Sequence, residues 1–306
     1  MTAAERGLLM LTCPLGDERV QPLTVGEMSR IRTLLRTRNL PPDTELTERL
    51  LHELGLESSM ARRVLTLLDR DRWLDAYLSA GARRGVQAVT RLSAQYPRRL
   101  LDTLGDGAPY VLFCLGNPEQ LNEDCVSLVG SRNLYPMGEA FARKVGTLAA
   151  GEGWILCSGN ARGADRSAQN ACLRQGGRVT AIVAGALTDC RPTQNVLYVS
   201  LDGYDCAFTA PRAHARNQVI HALGRAVFVA QCRLGAGGTW SGTTDNLRCK
   251  YSPVFCQADG SEAAAALEKM GARLVAYDDL NTLHGICQTV LCRKGDRKPC
   301  VESLDS

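Results

Sequence analysis

The stretch Val126–Leu173 constrains this chain most, because it repeats one strand-loop-helix unit in tandem. In each copy a short apolar run, Val126–Val129 and then Trp154–Cys157, ends in a loop of small residues carrying an arginine. Helix-period sequence follows each loop. The loops are Gly130-Ser131-Arg132 and Ser158-Gly159-Asn160-Ala161-Arg162-Gly163. Glycine lets amide N–H groups approach a ligand with no Cβ in the way, and a helix N-terminus adds positive potential. Arginine supplies a planar fork that matches phosphate oxygens. Two such loops side by side make a ridge suited to phosphate.

The alternation continues to the end of the region. Strands are expected at Tyr110–Leu115, Val126–Val129, Trp154–Cys157, Arg178–Ala184, Val196–Ser200, Ala226–Gln231, Pro253–Cys256 and Arg273–Tyr277. Helices are expected at Met137–Ala150, Ala164–Gln175, Ala213–Leu223, Gly242–Cys249 and Glu262–Met270. Short apolar strands without polar alternation, separated by helices, indicate an α/β fold with a parallel sheet covered on both faces. Ligands of such sheets sit beyond the carboxyl ends of the strands. The glycine loops fall there, and so does a third, Gly235–Thr243 (GAGGTWSGT), whose hydroxyls and amides suit a phosphate or sugar. The Ala184-Gly185-Ala186 turn is a weaker fourth. Arg212, His214 and Arg216 open another helix and can face the same edge; a lone histidine between arginines reads as a surface contact rather than an acid or base.

Residues 1–84 read as a small all-α domain. Val25, Met28, Ile31, Leu34 and Leu35 make one helical face, Pro41-Pro42 break it, and Asp43 or Thr44 is placed to cap the next helix. Leu50, Leu51 and Leu54 continue the stripe, Gly55-Leu56 turns, and Ser58 or Ser59 is placed to cap Met60–Leu68. The arrangement allows a helix-hairpin-helix, with plain helical packing as the alternative. Gly81–Arg91 reads as a basic connector. The expected division is 1–84 helical, 85–280 α/β, and 281–306 a short helix and polar tail.

Composition narrows the function. The net charge of +4 is small, but residues 126–233 hold 12 Lys/Arg against 6 Asp/Glu while residues 1–107 hold 16 against 14. The excess lies on the segment with the glycine loops, where a polyanion needs it. Aromatic residues are 5% of the chain, so base stacking is expected to be minor. The 13 cysteines are odd in number and form no CxxC pair, which points to reduced core thiols and no zinc site. No stretch approaches a membrane span, and Leu8–Leu11 is too short for a signal peptide.

VSLVGSR, then Tyr135-Pro136-Met137-Gly138, SGNARGADRSAQNACL, ARNQVI and GGTWSGT resemble the DprA/Smf family of DNA-processing proteins, as does Gln95–Asn117 upstream. The likeness covers roughly residues 90–275. It implies an extended Rossmann-like fold that dimerises. It implies a cytoplasmic, non-catalytic protein that binds and protects single-stranded DNA and loads RecA recombinase, in natural transformation or recombination, with no cofactor and no metal. By matching position it implies a phosphate pocket of Gly130, Ser131, Arg132, Ser158, Gly159, Arg162, Gly163, Asp165, Arg216, Asn217, Gly237, Gly238 and Thr239. Arg132, Arg162 and Arg216 would carry charge, Ser131, Ser158 and Thr239 would donate hydrogen bonds, and Asp165 would cap a helix and orient an arginine.

The chain departs from the family pattern at Gln218, where an arginine is usual, at Thr188–Asn195, and beyond Gly271, where a winged helix is not expected. Two other functions stand beside this one. Gly237–Asp245 loosely resembles the glycine-threonine loop of LOG-type phosphoribohydrolases, with Asp245 as the acid but without the expected glutamate. A DprA-like sensor of nucleotides or DNA ends in anti-phage defence would use the same ridge.

Overall fold

The computed structural model describes residues 1–41 and 43–291. The expected polar tail at 292–306 and the proline at 42 lie outside the described residues.

Nine strands form a single sheet: β1 (Val86–Thr90), β2 (Val111–Leu115), β3 (Cys125–Gly130), β4 (Ile155–Ser158), β5 (Arg178–Ile182), β6 (Val196–Ser200), β7 (Val227–Ala230), β8 (Val254–Gln257) and β9 (Arg273–Val275). Their spatial order is β1-β2-β6-β5-β4-β3-β7-β8-β9. From β6 to β9 every neighbouring pair is parallel. The outer strands β1 and β2 run antiparallel.

The helices are α1 (Ala3–Thr12), α2 (Val25–Thr37), α3 (Glu48–Glu53), α4 (Ser58–Leu68), α5 (Asp71–Ala82), α6 (Arg98–Leu104), α7 (Pro136–Gly151), α8 (Ala164–Arg174), α9 (Ala210–Leu223), α10 (Gly237–Cys249), α11 (Glu262–Lys269) and α12 (Leu283–Leu291). One sheet face packs Leu100 of α6, Val219, Ile220 and Leu223 of α9 and Leu267 of α11 over Val129, Ile155, Cys157 and Val229. The other packs Phe141 and Val145 of α7, Ala164 and Ala168 of α8 and Leu283 of α12 over Val126, Leu128, Leu156 and Phe228. Alternate residues of each strand thus feed two cores, and this explains why the strand sequences lack polar alternation. Among the described residues, no helix is long and apolar enough to cross a membrane.

The N-terminal helices pack on the antiparallel end of the sheet. Leu9, Ile31, Leu51, Val64 and Leu74 share a core with Val86, Val111, Phe113 and Leu115. Tyr77 of α5 stacks on Tyr204 at 4.3 Å between centroids and meets Phe113 edge-on at 5.9 Å. Its hydroxyl donates to Asp205 Oδ1 at 2.7 Å.

Several local expectations are corrected. The Gly81–Arg91 connector contains β1, which pairs with β2 more than twenty residues later; its flanking arginines hide a five-residue run. Thr47, not Asp43 or Thr44, caps α3, because the Thr44 hydroxyl is spent on the Pro41 carbonyl. Ser58 and Ser59 lie inside α4, whose N-cap Glu57 makes no side-chain bond. The strand at Ala226–Gln231 stops at Ala230, since Gln231 takes a left-handed φ of 56°. Helix α10 starts at Gly237 rather than Gly242, so the glycine run is its first turn. Helix α6 is an addition, while α1, with a Thr2–Glu5 capping box, and α5 fall within the stretch read as all-α.

His221 fastens α9 to α10. It is fully buried, Asn246 Nδ2 donates to its Nδ1 at 3.0 Å, and Asn246 Oδ1 accepts the Ser252 N–H at 2.9 Å. Burial pushes the imidazole down to about 3. The folded value lies below the unfolded one of about 6.5, so this group's contribution is complete above pH ~6.5 and is lost as pH falls toward 3. In urea unfolding between pH 7 and 4.5, His221→Gln should lose less stability than the parent, the difference changing by about 1.4 kcal/mol per pH unit below ~6.5. Parallel pH curves for the two proteins would contradict this.

Candidate nucleic-acid interface

The chain leaves β3 in one direction through β4, β5 and β6, and later returns beside it as β7 to continue through β8 and β9. Loops after β3 and β7 therefore part in opposite directions, which opens a crevice at the carboxyl ends of these strands. A cavity of about 950 Å³ occupies that point. Gly130, Ser131, Arg132, Asp165, Arg216, Asn217, Gly237, Gly238 and Thr239 line it. Four residues of the implied phosphate pocket do not line it: Ser158, Gly159, Arg162 and Gly163.

The first two loops are clasped by backbone. The Ala164 N–H donates to the Ser131 carbonyl at 3.1 Å. Gly163 has φ +87°, and a Cβ there would lie 2.6 Å from the Arg132 carbonyl oxygen and closer still to that of Ser131. The Ser131 hydroxyl donates to the Asn133 carbonyl at 2.7 Å and accepts the Asn133 N–H at 3.1 Å. This turn holds Arg132 out into solvent. Arg162, also exposed, donates from Nη2 to Asn133 Oδ1 at 2.7 Å, so it braces the Arg132 loop from beside the cavity.

The floor is a buried ion pair. Arg216 on α9 is 7% exposed and Asp165 on α8 is 6% exposed, with Nη1 and Oδ2 3.9 Å apart. Asp165 accepts the Ala161 N–H at 3.1 Å. Burial pushes the Asp165 carboxyl up, opposed by the Arg216 charge and by the Ala161 and Gly159 amides. Burial pushes Arg216 down, opposed by Asp165. Arg216 Nε has no hydrogen-bond partner among the described residues. Such a guanidinium keeps donor capacity for an anion that enters the cavity. Gly159 lies directly beneath: a Cβ there would overlap the Arg216 guanidinium. Ser158 is fully buried, and its hydroxyl accepts from Gln169 Nε2 at 2.5 Å, which spends it on the interior.

The third wall is the first turn of α10. Thr239 Oγ1 donates to the Gly130 carbonyl at 2.8 Å, and Asn217 Nδ2 donates to the Gly238 carbonyl at 3.1 Å. These bonds fix the turn, while its N-cap Ala236 makes no side-chain bond. The first amides of a helix have no intrahelical acceptors, so Gly237, Gly238 and Thr239 bring N–H groups and positive dipole potential to the cavity wall.

Sequence reasoning passed over Tyr135, Phe208, Gln231 and Arg233, all of which line the cavity. Gln231 joins β7 to the first loop: its Oε1 accepts the Tyr135 N–H at 2.8 Å and its Nε2 donates to the Asn133 carbonyl at 3.2 Å. His214 lines the cavity and faces Asp245 at 3.6 Å. Asp245 lies off the cavity lining and pairs with Arg248 at 2.9 Å.

Residues 87–280 match the family model of DNA recombination-mediator protein A. The DNA processing protein DprA of Streptococcus pneumoniae is 31% identical over 140 residues, covering 42% of this chain and 49% of that protein. Protein Smf of Synechocystis is 28% identical over 169 residues, covering 51% of this chain and 42% of that protein. The chain spans about half the length of these curated relatives. The X-ray structure of DNA processing protein A from Streptococcus pneumoniae aligns with a TM-score of 0.70 at 24% identity over 92% of this chain and 97% of that one. DNA processing protein A of Helicobacter pylori, a protein with a single-stranded DNA binding mode, aligns with a TM-score of 0.55 at 23% identity over 68% and 96%. At these identities both structures speak to the fold.

Two glycines of the second loop should separate stability from binding. Gly163→Ala meets backbone oxygens at a φ closed to side chains, so it should lower stability by about 2 kcal/mol or more. Gly159→Ala meets chiefly the end of the Arg216 side chain, so it should displace the guanidinium and weaken anion binding while costing less stability. Thermal melts and an oligonucleotide titration check the pair; equal stability losses with unchanged binding by Gly159→Ala would contradict the assignment.

Proposed function

This chain belongs to the DNA recombination-mediator protein A family, also called DprA/Smf, and from that premise we propose that it binds single-stranded DNA through the switch-point cavity. In this reading it protects incoming strands and loads RecA recombinase during natural transformation or recombination. It works as a cytoplasmic homodimer and catalyses no reaction. Residues 85–280 are the binding domain in this proposal, with 1–84 as a helical domain before it and 281–306 as a short appendage.

One observation carries the reading. Arg132, Arg216 and the uncapped first turn of α10 come from three separate parts of the chain and line one cavity. Guanidinium forks and amide N–H groups of this kind take phosphate oxygens regardless of base identity. Arg132 stands in solvent, where a strand meets it first, and Arg216 waits at the floor with an unspent Nε. The single-stranded DNA binding of the Helicobacter pylori protein supports the same use of the same fold. Gln218 leaves one fewer cation beside Asn217 than the family pattern, so affinity here leans more on Arg132 and Arg216.

The hydrolase reading finds less support. Its acid, Asp245, is engaged with Arg248 and His214 and lies off the cavity lining. The cavity's own Asp165 is held by backbone amides and by Arg216. A general acid or base needs reach to the scissile bond, and neither carboxylate is disposed for it.

Titration of a 20-nucleotide strand over a range of salt tests the proposal. Affinity should fall steeply with salt, and Arg132→Ala or Arg162→Ala should weaken binding by the same factor for every base sequence. Each lost phosphate contact should make the log–log salt slope shallower by about 0.7. Salt-independent binding, or a loss that depends on base sequence, would overturn phosphate recognition. Mass measurement with and without DNA, and RecA filament growth on the coated strand, test the dimer and the loading step.

A further inference from the structure

We propose that Tyr135 and Phe208 stack unpaired nucleobases of the strand whose phosphates lie against Arg132 and Arg216. The inference rests on the single-stranded DNA reading and adds to it what the strand's bases do.

The low aromatic content of the chain argues against stacking as a general binding mode, but the distribution of exposed rings argues for it at this place. Among the described residues the exposed large hydrophobics include three aromatic rings: Trp73, Tyr135 and Phe208. Two of the three line the cavity, with Tyr135 75% exposed and Phe208 56% exposed. They come from different walls, Tyr135 from the loop after β3 and Phe208 from the segment entering α9. Exposed Met137 follows the first wall, and exposed Leu234 neighbours cavity-lining Arg233. Singly exposed rings are ordinary on a protein surface, but two in the lining of one cavity that also holds Arg132 and Arg216 suit a flat apolar ligand.

Both rings stand on anchored backbone. The Tyr135 N–H is bound by Gln231 Oε1, and Pro136 opens α7 immediately after it. Phe208 lies between two fixed points. The Ala207 carbonyl accepts from Arg212 Nη1 at 2.7 Å, and the Thr209 hydroxyl caps α9 by accepting the Arg212 N–H at 3.3 Å. Arg212 is itself held by Asp202 at 2.8 Å. Pre-ordered platforms lose little entropy when a base settles on them. In a duplex the base faces are already stacked and paired, whereas a single strand can splay them onto a ring. The two rings therefore select single strands over duplex, which the phosphate contacts alone do not.

The test compares a 20-nucleotide strand with a fully abasic strand of equal length and charge. Tyr135→Ala, Phe208→Ala and the double variant are measured on both, with Tyr135→Phe and Phe208→Tyr as controls that keep a ring. The native protein should bind the normal strand at least tenfold more tightly than the abasic one. Each alanine should cost roughly tenfold on the normal strand, on the scale of one base–aromatic stack, and nothing on the abasic strand. The ring-keeping controls should bind as the native protein does. Equal affinity of the native protein for both strands overturns the stacking role while leaving the phosphate reading intact, as does an equal loss by the double variant on both. Failure of the native protein to bind either strand overturns both. Since both side chains are exposed, thermal melts of the variants should match the parent.

Discussion

The site depends on one backbone contact, the docking of Gly163-Ala164 against the Ser131 and Arg132 carbonyls. It holds the start of α8 against the end of β3 with no side chain between them. Gly130 is required for the same reason: a Cβ there would lie 2.5 Å from the Ala164 Cβ and would crowd the Ala230 carbonyl. The glycines of these two loops therefore serve close packing before they serve a ligand. Arg132 and Arg162 are displayed by the clasp, and the Asn133 side chain and carbonyl join them to each other and to Gln231. A cavity lined by groups from so many loops keeps its shape because the loops are bound to one another rather than to solvent.

The Arg216–Asp165 pair is costly to the fold. Both groups are buried, their separation of 3.9 Å is long for a charge-assisted hydrogen bond, and burial disfavours the charged form of each. A well-packed apolar pair would be no less stable. The arrangement makes sense as a preset floor. Asp165 keeps Arg216 charged and aimed, the Ala161 amide supports Asp165, and the missing Cβ of Gly159 leaves the guanidinium its place. Because the pair is incompletely satisfied, a phosphate bound as proposed would add hydrogen bonds without first breaking a strong one.

The sequence made the sheet and the rim legible for different reasons from those that hid the rest. Short runs without polar alternation at Val126–Val129, Leu156-Cys157 and Val227–Val229 announce strands buried on both faces, and small-residue loops after them mark the edge where ligands of such sheets sit. What escaped depends on partners distant in sequence. Strand β1 is defined by its pairing with β2, and five residues between arginines do not signal it. The Ser158 hydroxyl looks available until Gln169, in the second turn of the next helix, is seen to occupy it. The Gly235–Thr243 run has loop composition, yet from Gly237 onward it is helical, with its first turn held by the Thr239–Gly130 and Asn217–Gly238 bonds. Tyr135 and Phe208 were invisible because overall composition averages over the chain, and only the fold brings the two rings to one cavity.

The N-terminal helices reach the site through the segment after β6. Tyr77 of α5 stacks on Tyr204, donates to Asp205 and accepts the Tyr204 N–H at 3.0 Å. Asp202 of the same segment holds Arg212, which fixes the carbonyl of Ala207 just before Phe208. Arg212 also begins the turn of α9 that ends at Arg216. Packing of α5 on the sheet is therefore continuous, through aromatic contact and charge-assisted bonds, with the placement of one exposed ring and the floor arginine. The segment holding Phe208 is thus joined to the helices on β1 and β2, whereas the Arg132 loop is tied to β7 and α8.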